Sequence, residues 1–442
     1  MSKLLHLGGP YMSSTEVVIV GGVRTPFAKA GTKLKDIHPV NLGQVALCQL
    51  MAQTEVDPSL VDEVIIGNTG SPSDAANISR VVALRAGFPL KTSCHTVHRN
   101  CASALESIST AYDKIKAGSA DVVVAGGTES MSQMPLIFSK QFQDIFGEFA
   151  FAKSMGKKVE AIKKLKLKYL KPRVAVMEGL TDPFSGINMG QTAEILAKEF
   201  HISREEQDRF AMESHEKAVA AQKNGNLAQE ITPIFIPPKY KEVVAEDIGP
   251  REGQSMEKLG KMRPYFDRKF GSITVANACP ITDGAAMVML MSRSKAQELG
   301  LKPWAKIRGY AFAGLDPRRM GLGPVYSTPI ALQRAGVGLN DIDVVELNEA
   351  FAAQVIACTK AMASDQYCKE NLGLSKAIGE VDPAKLNING GAIALGHPVG
   401  ATGTRLVLTA IKQLQRSNKS LALATLCIGG GQGGAMILER EA

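Results

Sequence analysis

No apolar run in these 442 residues approaches the roughly twenty that a helix needs to cross a bilayer, so a membrane-spanning helix is not expected. Aromatic residues are scarce, 5% of the chain with a single Trp, and no basic stretch carries the motif or the aromatic interleaving of a nucleic-acid module. Nucleic acid is therefore set aside as a partner. Cysteine is present without a framework: seven residues, an odd number at irregular spacing, with no secretory signal before them. That excludes a disulfide scaffold and points to free thiols in a reducing compartment, the cytoplasm, or a mitochondrion in a eukaryote. The first eleven residues lack the apolar core of a signal peptide, and Met12 is an alternative start to Met1. The phosphate-loop pattern G-x-x-x-x-G-K-[ST] is missing too. The glycine run 429–434 ends a strand pattern rather than opening a clear helix, which argues against a nucleotide cradle.

What is present begins with charge. The net +8 is confined to one place: nine Lys or Arg against a single acid, Glu160, lie between Lys153 and Arg173, and the rest of the chain is neutral. Ala161, Ile162, Leu165, Leu167, Tyr169 and Leu170 are interleaved with them, the pattern of a basic helix with an apolar stripe. An anionic membrane surface, an acidic partner or a phosphorylated substrate would suit such a segment; a merely solvated helix is the plainer reading.

With 45% hydrophobic residues, the chain is long enough for two or three domains. Short apolar runs at Val17–Val20, Val61–Ile66, Thr92–Val97 and Asp121–Ala125 read as strands, the first and last ended by glycine pairs. Between the last two, Leu105, Ile108, Ala111, Tyr112 and Ile115 mark one face of a helix over 102–117. The C-terminal third repeats this grammar: strands at Asp343–Leu347, Leu386–Ile388 and Leu421–Leu426, and a helix over Thr402–Gln415 with Leu406, Val407, Ala410, Ile411 and Leu414 inward. Strands alternating with helices give an α/β fold, and the repetition gives two duplicated halves. Residues 131–271 change character, being polar and largely helical, with a capping box at Ser203–Glu206 and a stop at Asn224-Gly225. The expected division is 14–130 with 272–300 as the first half, 131–271 as a helical insertion containing 153–173, and 301–442 as the second half. The chain is expected to return to the first half at Ser272–Ala276.

Reactive side chains gather in three places. Cys101 stands in His98-Arg-Asn-Cys-Ala-Ser103 at a helix start, His397 in the glycine-lined loop Gly390-Gly391 to Gly396-His397-Pro398, and Cys427 just before the glycine run. A thiol at a helix start meets unpaired N–H groups and the positive end of the dipole, which favour thiolate. Two thiols and one imidazole suggest acyl-thioester chemistry, with the second thiol as acid and base and the glycine-rich backbone offering N–H groups to an oxyanion. Cys94, His95, His98 and Cys101 invite a zinc reading, but on an extended chain Cys94 and His98 stand roughly 13 Å apart and His95 points the other way. Cys94 and His95 read as packing residues.

These motifs make the sequence resemble a thiolase, an acetyl-CoA C-acyltransferase. The resemblance runs from about Val17 to Glu439. It is carried by Gly22-Val-Arg-Thr-Pro-Phe27, Asn100-Cys-Ala-Ser-Ala104, Gly126-Gly-Thr-Glu-Ser-Met-Ser132, Asn188-Met-Gly-Gln-Thr-Ala-Glu194, Asn348-Glu-Ala-Phe351, Asn389-Gly-Gly-Ala392 to Gly396-His-Pro398, and Cys427-Ile-Gly-Gly-Gly431. The long basic stretch is similar to the β subunits of trifunctional fatty-acid oxidation complexes. The resemblance implies a five-layered αβαβα fold of two βαβαβαββ halves and a 3-ketoacyl-CoA thiolase of fatty-acid β-oxidation. Cys101 is implied as nucleophile, His397 as its base, Cys427 as acid and base, and Asn348, His397 and the N–H groups of Cys101 and Gly429 as oxyanion partners. Met189, Phe351, Asn277 and Cys279 are implied near substrate. No cofactor or metal is implied, since coenzyme A enters as a substrate. Implied partners are a second copy of the chain and a hydratase/dehydrogenase α subunit. Two positions depart from the pattern: Cys279 stands where many relatives carry a hydroxyl, and Asn348 where trifunctional-type relatives often carry histidine. A biosynthetic acetoacetyl-CoA thiolase is disfavoured by the long insertion, a decarboxylating ketoacyl synthase by Cys427, and a cysteine protease by the absence of its signatures. An idle scaffold is disfavoured by the intact Cys101, His397 and Cys427.

Overall fold

The apolar runs do become strands, and the helical periods helices, in the structure, a computed structural model that describes residues 15–441. Met12, and with it the choice of start, lies outside that range. The first half runs β1 (Val17–Arg24), α1 (Pro39–Thr54), β2 (Glu63–Gly67), α2 (Ile78–Arg85), β3 (Ser93–Val97), α3 (Ser103–Lys116) and β4 (Val122–Ser130). An excursion follows, with α4 (Lys140–Phe151), α5 (Met155–Lys163), α6 (Met189–Glu199) and α7 (Arg204–Lys223), before β5 (Thr282–Ser292) closes the half. The second half repeats the order with β6 (Ala305–Gly314), α8 (Gly323–Ala335), β7 (Val344–Leu347), α9 (Ala352–Met362), α10 (Thr402–Ser417), β8 (Leu421–Ile428) and β9 (Gln432–Arg440).

The halves build sheets of the same pattern, five strands in the first and four in the second. In the first, β3, β2 and β4 are parallel and continue through antiparallel β5 to β1; in the second, β7 and β8 are parallel and continue through antiparallel β9 to β6. The sheets join where Val18 and Ile19 pair with Lys306 and Ala305. The expected strand at Leu386–Ile388 is reduced to a single bridge between Leu386 and Val345.

Three separate cores give the layers. One lies between α1, α2 and the outer face of the first sheet, and another between α8, α9 and the outer face of the second. Between the sheets, Ile108, Ala111 and Ile115 of α3 share the third core with Leu406, Ala410 and Leu414 of α10. Fully burying each such Leu or Ile is worth roughly 1.5–3 kcal/mol. The two helices touch at backbone level, since a Cβ on Gly403 would stand 2.4 Å from the Leu105 nitrogen. Helix, sheet, helix, sheet, helix is the αβαβα arrangement.

Two expectations are corrected. Residues 272–276 do not re-enter the sheet; they form a loop held by Glu194, which accepts from the N–H groups of Ser272 and Ile273 at 2.9 Å, and the sheet resumes only at Thr282. The strands expected to end at Gly21-Gly22 and at Gly126-Gly127 instead continue through both glycine pairs, to Arg24 and to Ser130. Within the insertion, α6 and α7 each start on a reciprocal capping box, Asn188 with Gln191 and Ser203 with Glu206.

Candidate active site

Cys101 sits in the turn between β3 and α3. Asn100 adopts a left-handed φ of 45°, and the turn is locked by Ser103, whose Oγ donates to the Asn100 carbonyl (2.7 Å) and accepts from the Arg99 N–H (2.9 Å). Asn100 Nδ2 reaches across to donate to the Gly429 carbonyl at 2.7 Å. Gly429 opens the three-residue turn joining β8 to β9, and its N–H points at the Cys101 sulfur. The turn needs glycine: Gly430 and Gly431 have φ of 87° and 79°, and a Cβ on Gly431 would stand 2.4 Å from the Leu315 carbonyl oxygen.

The helix-dipole expectation for Cys101 is corrected. Ala102 caps α3, so the cysteine precedes the cap. Burial pushes its thiol up, the N–H groups of Gly429 and Cys101 offset this only in part, and Glu129 adds to the rise. The resting group is a thiol, and its proton needs an acceptor.

His397 stands in the loop that precedes α10 in the second half, tied to the segment that carries Cys279. Its backbone N–H donates to Thr282 Oγ1 at 3.0 Å, and its neighbour Ile281 bridges to it. Thr402 Oγ1 donates its own proton to the Pro398 carbonyl (3.0 Å), so at 2.6 Å it accepts from His397 Nδ1–H. This fixes the tautomer: Nδ1 carries the proton and Nε2 keeps its lone pair. Nε2 is buried and meets no partner among the described residues. Burial, then the charge of Arg405, push the imidazole down to about 3, so it is neutral at pH 7. Two buried carboxylates hold this loop. Glu129 accepts from the N–H groups of Gly400 (2.9 Å), Thr69 and Gly70 (both 3.0 Å). Glu349 accepts from Ser214 (2.6 Å), Asn387 (2.8 Å) and the Ile393 N–H (3.2 Å). Burial raises both.

Cys427 lies near the end of β8 in an apolar pocket with Met189, Phe351, Phe266 and Met320. Phe266 meets Phe351 edge to face at 5.9 Å. Burial drives the Cys427 thiol well up, and the thiols of Cys101, Cys358 and Cys279 raise it further. Cys279, whose N–H donates to the Ala350 carbonyl at 3.0 Å, is pushed up to about 12 by burial and then by Cys101. Asn348 is fully buried at the end of β7, and neither side-chain polar atom has a partner among the described residues. Buried amides are almost always paired, so this one marks a place for a polar group of a substrate or solvent.

The thiols of Cys101, Cys279 and Cys427 thus lie close enough to act on one another, with the Gly429 N–H toward Cys101, Met189 and Phe351 packed with Cys427, and the His397 loop tied at Ile281 to the segment that carries Cys279. Asn277, expected near substrate, spends its side chain on the protein. Its Oδ1 accepts from Thr274 (2.7 Å) and its Nδ2 donates to Asp208 (3.0 Å) and Ser272 (3.2 Å), all in a buried loop that it shapes. Of the residues considered for zinc, His95 Nδ1 bonds Glu63 at 2.7 Å, and no group of three or more ligating residues converges among the described residues. Thr402, Thr282 and Glu129 support the site without having been expected there, although Glu129 lies inside the Gly126–Ser132 motif and Thr402 only five positions after the histidine.

The family model described as the thiolase N-terminal domain matches residues 17–294, and that for the thiolase C-terminal domain matches 301–440. The chain belongs to the thiolase family. Among thiolases, a 3-ketoacyl-CoA thiolase of Yersinia enterocolitica is 41% identical over 426 residues, 96% of this chain and 97% of the other. The solved structure of human mitochondrial 3-ketoacyl-CoA thiolase is 35% identical with a TM-score of 0.83, covering 97% of this chain and 99% of that one; the same human thiolase has also been solved with CoA. An acetyl-CoA acetyltransferase of Bacillus anthracis is 36% identical with a TM-score of 0.84, over 97% and 99%.

Proposed function

We propose that this chain is a 3-ketoacyl-CoA thiolase, cleaving 3-ketoacyl-CoA with coenzyme A to acetyl-CoA and a shortened acyl-CoA. The observation that carries this is the Cys101 thiol under the Gly429 N–H, coupled to a second buried thiol, together with a nearby loop whose imidazole has a fixed tautomer and a free Nε2.

His397 Nε2 takes the Cys101 proton as the sulfur attacks the 3-keto carbon, so a thiol and a neutral imidazole become a charged pair only when an oxyanion forms beside them. The N–H groups of Gly429 and Cys101 receive that oxyanion; losing one such donor typically costs about 10²–10³ in rate. The C2–C3 bond then breaks, leaving an acyl group on Cys101 and the enolate of acetyl-CoA. Asn348 and the protonated His397 stabilise the enolate oxygen, and Cys427 protonates its carbon. In the second half-reaction the Cys427 thiolate takes the proton of incoming coenzyme A, whose sulfur displaces Cys101. Cys101 leaves as a thiolate and recovers its proton from His397. Met189 and Phe351 line the approach, with Cys279 beside them.

The test is thiolysis of a 3-ketoacyl-CoA series from four to sixteen carbons, with mass spectrometry of the stalled enzyme. Cleavage that strengthens with chain length, with the acyl group on Cys101, is the expected result. Activity at four carbons alone would favour an acetoacetyl-CoA thiolase, and no adduct at Cys101 would overturn the reading. A second prediction concerns Thr402. Thr402→Val frees the tautomer and should lower kcat/KM about 10²-fold, while Thr402→Ser keeps most activity. Because His397 stays neutral, the parent enzyme should show no inflection near pH 6.5. A fall in Thr402→Val that serine does not rescue would reduce Thr402 to a packing residue.

The same reading extends to partners and place. No helix of the described residues is long and apolar enough to cross a membrane. A homo-oligomer, a hydratase/dehydrogenase α subunit and a cytoplasmic or mitochondrial setting accord with a β-oxidation thiolase, and analytical ultracentrifugation of the chain alone and with such a subunit tests the first two.

A further inference from the structure

Resting on the thiolase reading, we propose that Arg405, paired with Glu346, is a positioning residue for the enolate step. Three successive turns of α10 hold buried groups along one stripe. Thr402 accepts from His397 Nδ1 at 2.6 Å, Arg405 Nη1 donates to Glu346 Oε2 at 2.7 Å, and Thr409 donates to Glu230 at 3.0 Å. Positions 402, 405 and 409 share a face because three and four residues make about one helical turn. The strand β7 presents the matching groups. Val344 packs in the middle core with Leu406 and Ala410, whereas Val345 and Leu347 pack in the outer one. Alternation puts Glu346 on the face toward α10 and Asn348 after it, since the Asn348 N–H donates to the Thr425 carbonyl at 2.9 Å and prolongs the parallel pairing with β8. The ion pair thus stands one step behind the two side chains assigned to the enolate oxygen.

Both members of the pair are fully buried. Six of the twelve side-chain polar atoms that are buried without a partner among the described residues belong to this place: Asn348 Oδ1 and Nδ2, His397 Nε2, Glu346 Oε1, and Arg405 Nε and Nη2. Buried polar atoms seldom go unpaired, and an arginine that only held the fold would turn its whole fork onto protein. Arg24 does so, with Nε, Nη1 and Nη2 all donating to carboxylates. Arg405 gives Glu346 one contact and leaves its Nε and Nη2 protons for another acceptor. Burial and then the Arg405 charge hold His397 unprotonated, so the cation acts at the imidazole. Its counter-charge is weakened, because burial raises the Glu346 carboxyl against the pull of Arg405, and Glu230 and Glu349 add to the rise. An enolate formed between Asn348 and His397 therefore meets a fixed cation that water does not screen.

Two partial reactions separate this role from a structural one. Solvent deuterium exchange into the methyl group of acetyl-CoA, on the acetylated enzyme, passes through the enolate, with the Cys427 thiolate removing a proton and returning a deuteron. Transfer of the butyryl group of butyryl-CoA to labelled coenzyme A passes through acyl-Cys101 without an enolate. Arg405→Met/Glu346→Gln removes cation and carboxylate together, so neither charge of the pair is left buried alone. It should slow methyl exchange and thiolysis about tenfold to a hundredfold with KM unchanged, while butyryl transfer stays near the parent rate. Arg405→Gln keeps a donor for Glu346 but no charge; it should behave as the double variant does, and it serves in its place if that variant does not fold. Glu346→Gln keeps the cation and an acceptor for it, and should slow neither reaction. Equal loss of both reactions without the cation, undiminished methyl exchange, or a loss in Glu346→Gln as large as in the double variant would overturn the proposal. A parent enzyme that performs neither reaction would overturn the thiolase reading, and this inference with it.

Discussion

Cys101→Ala, His397→Ala and the two changes together should all lose about the same thiolysis, on the order of 10⁴-fold or more, because the two groups act as one unit. The thiol of Cys101 is raised by burial and has no cation beside it to stabilise a resting thiolate. On the proposed mechanism its proton leaves only if His397 Nε2 receives it, and Nε2 has no hydrogen-bond partner among the described residues. Removing either group disables the other, so the penalties should not add. Single-turnover thiolysis of the three variants measures this directly, and a double variant much slower than either single one would mean independent roles. Cys427→Ala separates the second thiol. It should lose thiolysis while Cys101 remains open to alkylation by iodoacetamide, since the Cys427 side chain is buried and Cys101 is only partly so.

Much of this was legible in the chain. The start of the buried strand at Val17 and the apolar stripes of α3 and α10 follow from period and composition, because each buries its apolar face against a neighbour of the same kind. The capping box at Ser203–Glu206 is a local hydrogen-bond pattern, and local patterns survive folding. The failures share a cause as well. Gly126 and Gly127 read as strand terminators, yet a Cβ on Gly126 would stand 2.3 Å from the Ala286 carbonyl oxygen and one on Gly127 would stand 1.9 Å from that of Gly400. They are glycines because other backbones press on the strand, and no neighbouring residue reveals that. The polarity around Cys101 was misread for the same reason: the dipole argument is local, whereas burial depends on β8, β9 and the His397 loop closing over the turn. The clasp that fixes the His397 tautomer spans only five residues, but it shows itself only once Pro398 and Thr402 are folded into one turn.

The largest effect on stability is expected at Arg24. Its guanidinium is fully buried at the end of β1, bidentate to Asp247 (both contacts 2.7 Å) and bonded to Glu230 at 2.7 Å. The two carboxylates hold other groups as well: Asp247 accepts from the Phe27 N–H at 2.7 Å, and Glu230 from Thr409 at 3.0 Å. One cation therefore ties the insertion to both halves. Arg24→Met leaves two buried carboxylates facing each other and should lower the unfolding free energy by about 3–5 kcal/mol. Neutralising them in Arg24→Met/Glu230→Gln/Asp247→Asn should recover a large part of that loss. Urea unfolding followed by far-UV circular dichroism reads both outcomes. A single variant as stable as its parent would show that the ion cluster holds nothing, and an unrecovered triple variant would assign the loss to packing of the arginine stem.

Because the Gly429 N–H lies over the Cys101 sulfur and Asn100 holds the Gly429 carbonyl, the proposed nucleophile is translated early and finished late. More than three hundred residues are added between the sulfur and the turn that covers it. A nascent chain that has already folded its first half still carries an ordinary cysteine, with neither imidazole nor oxyanion donor in reach. On the proposed mechanism, acyl transfer begins only once the ribosome has delivered the β8–β9 hairpin, and a chain released before that hairpin lacks the groups to react with the thioesters around it.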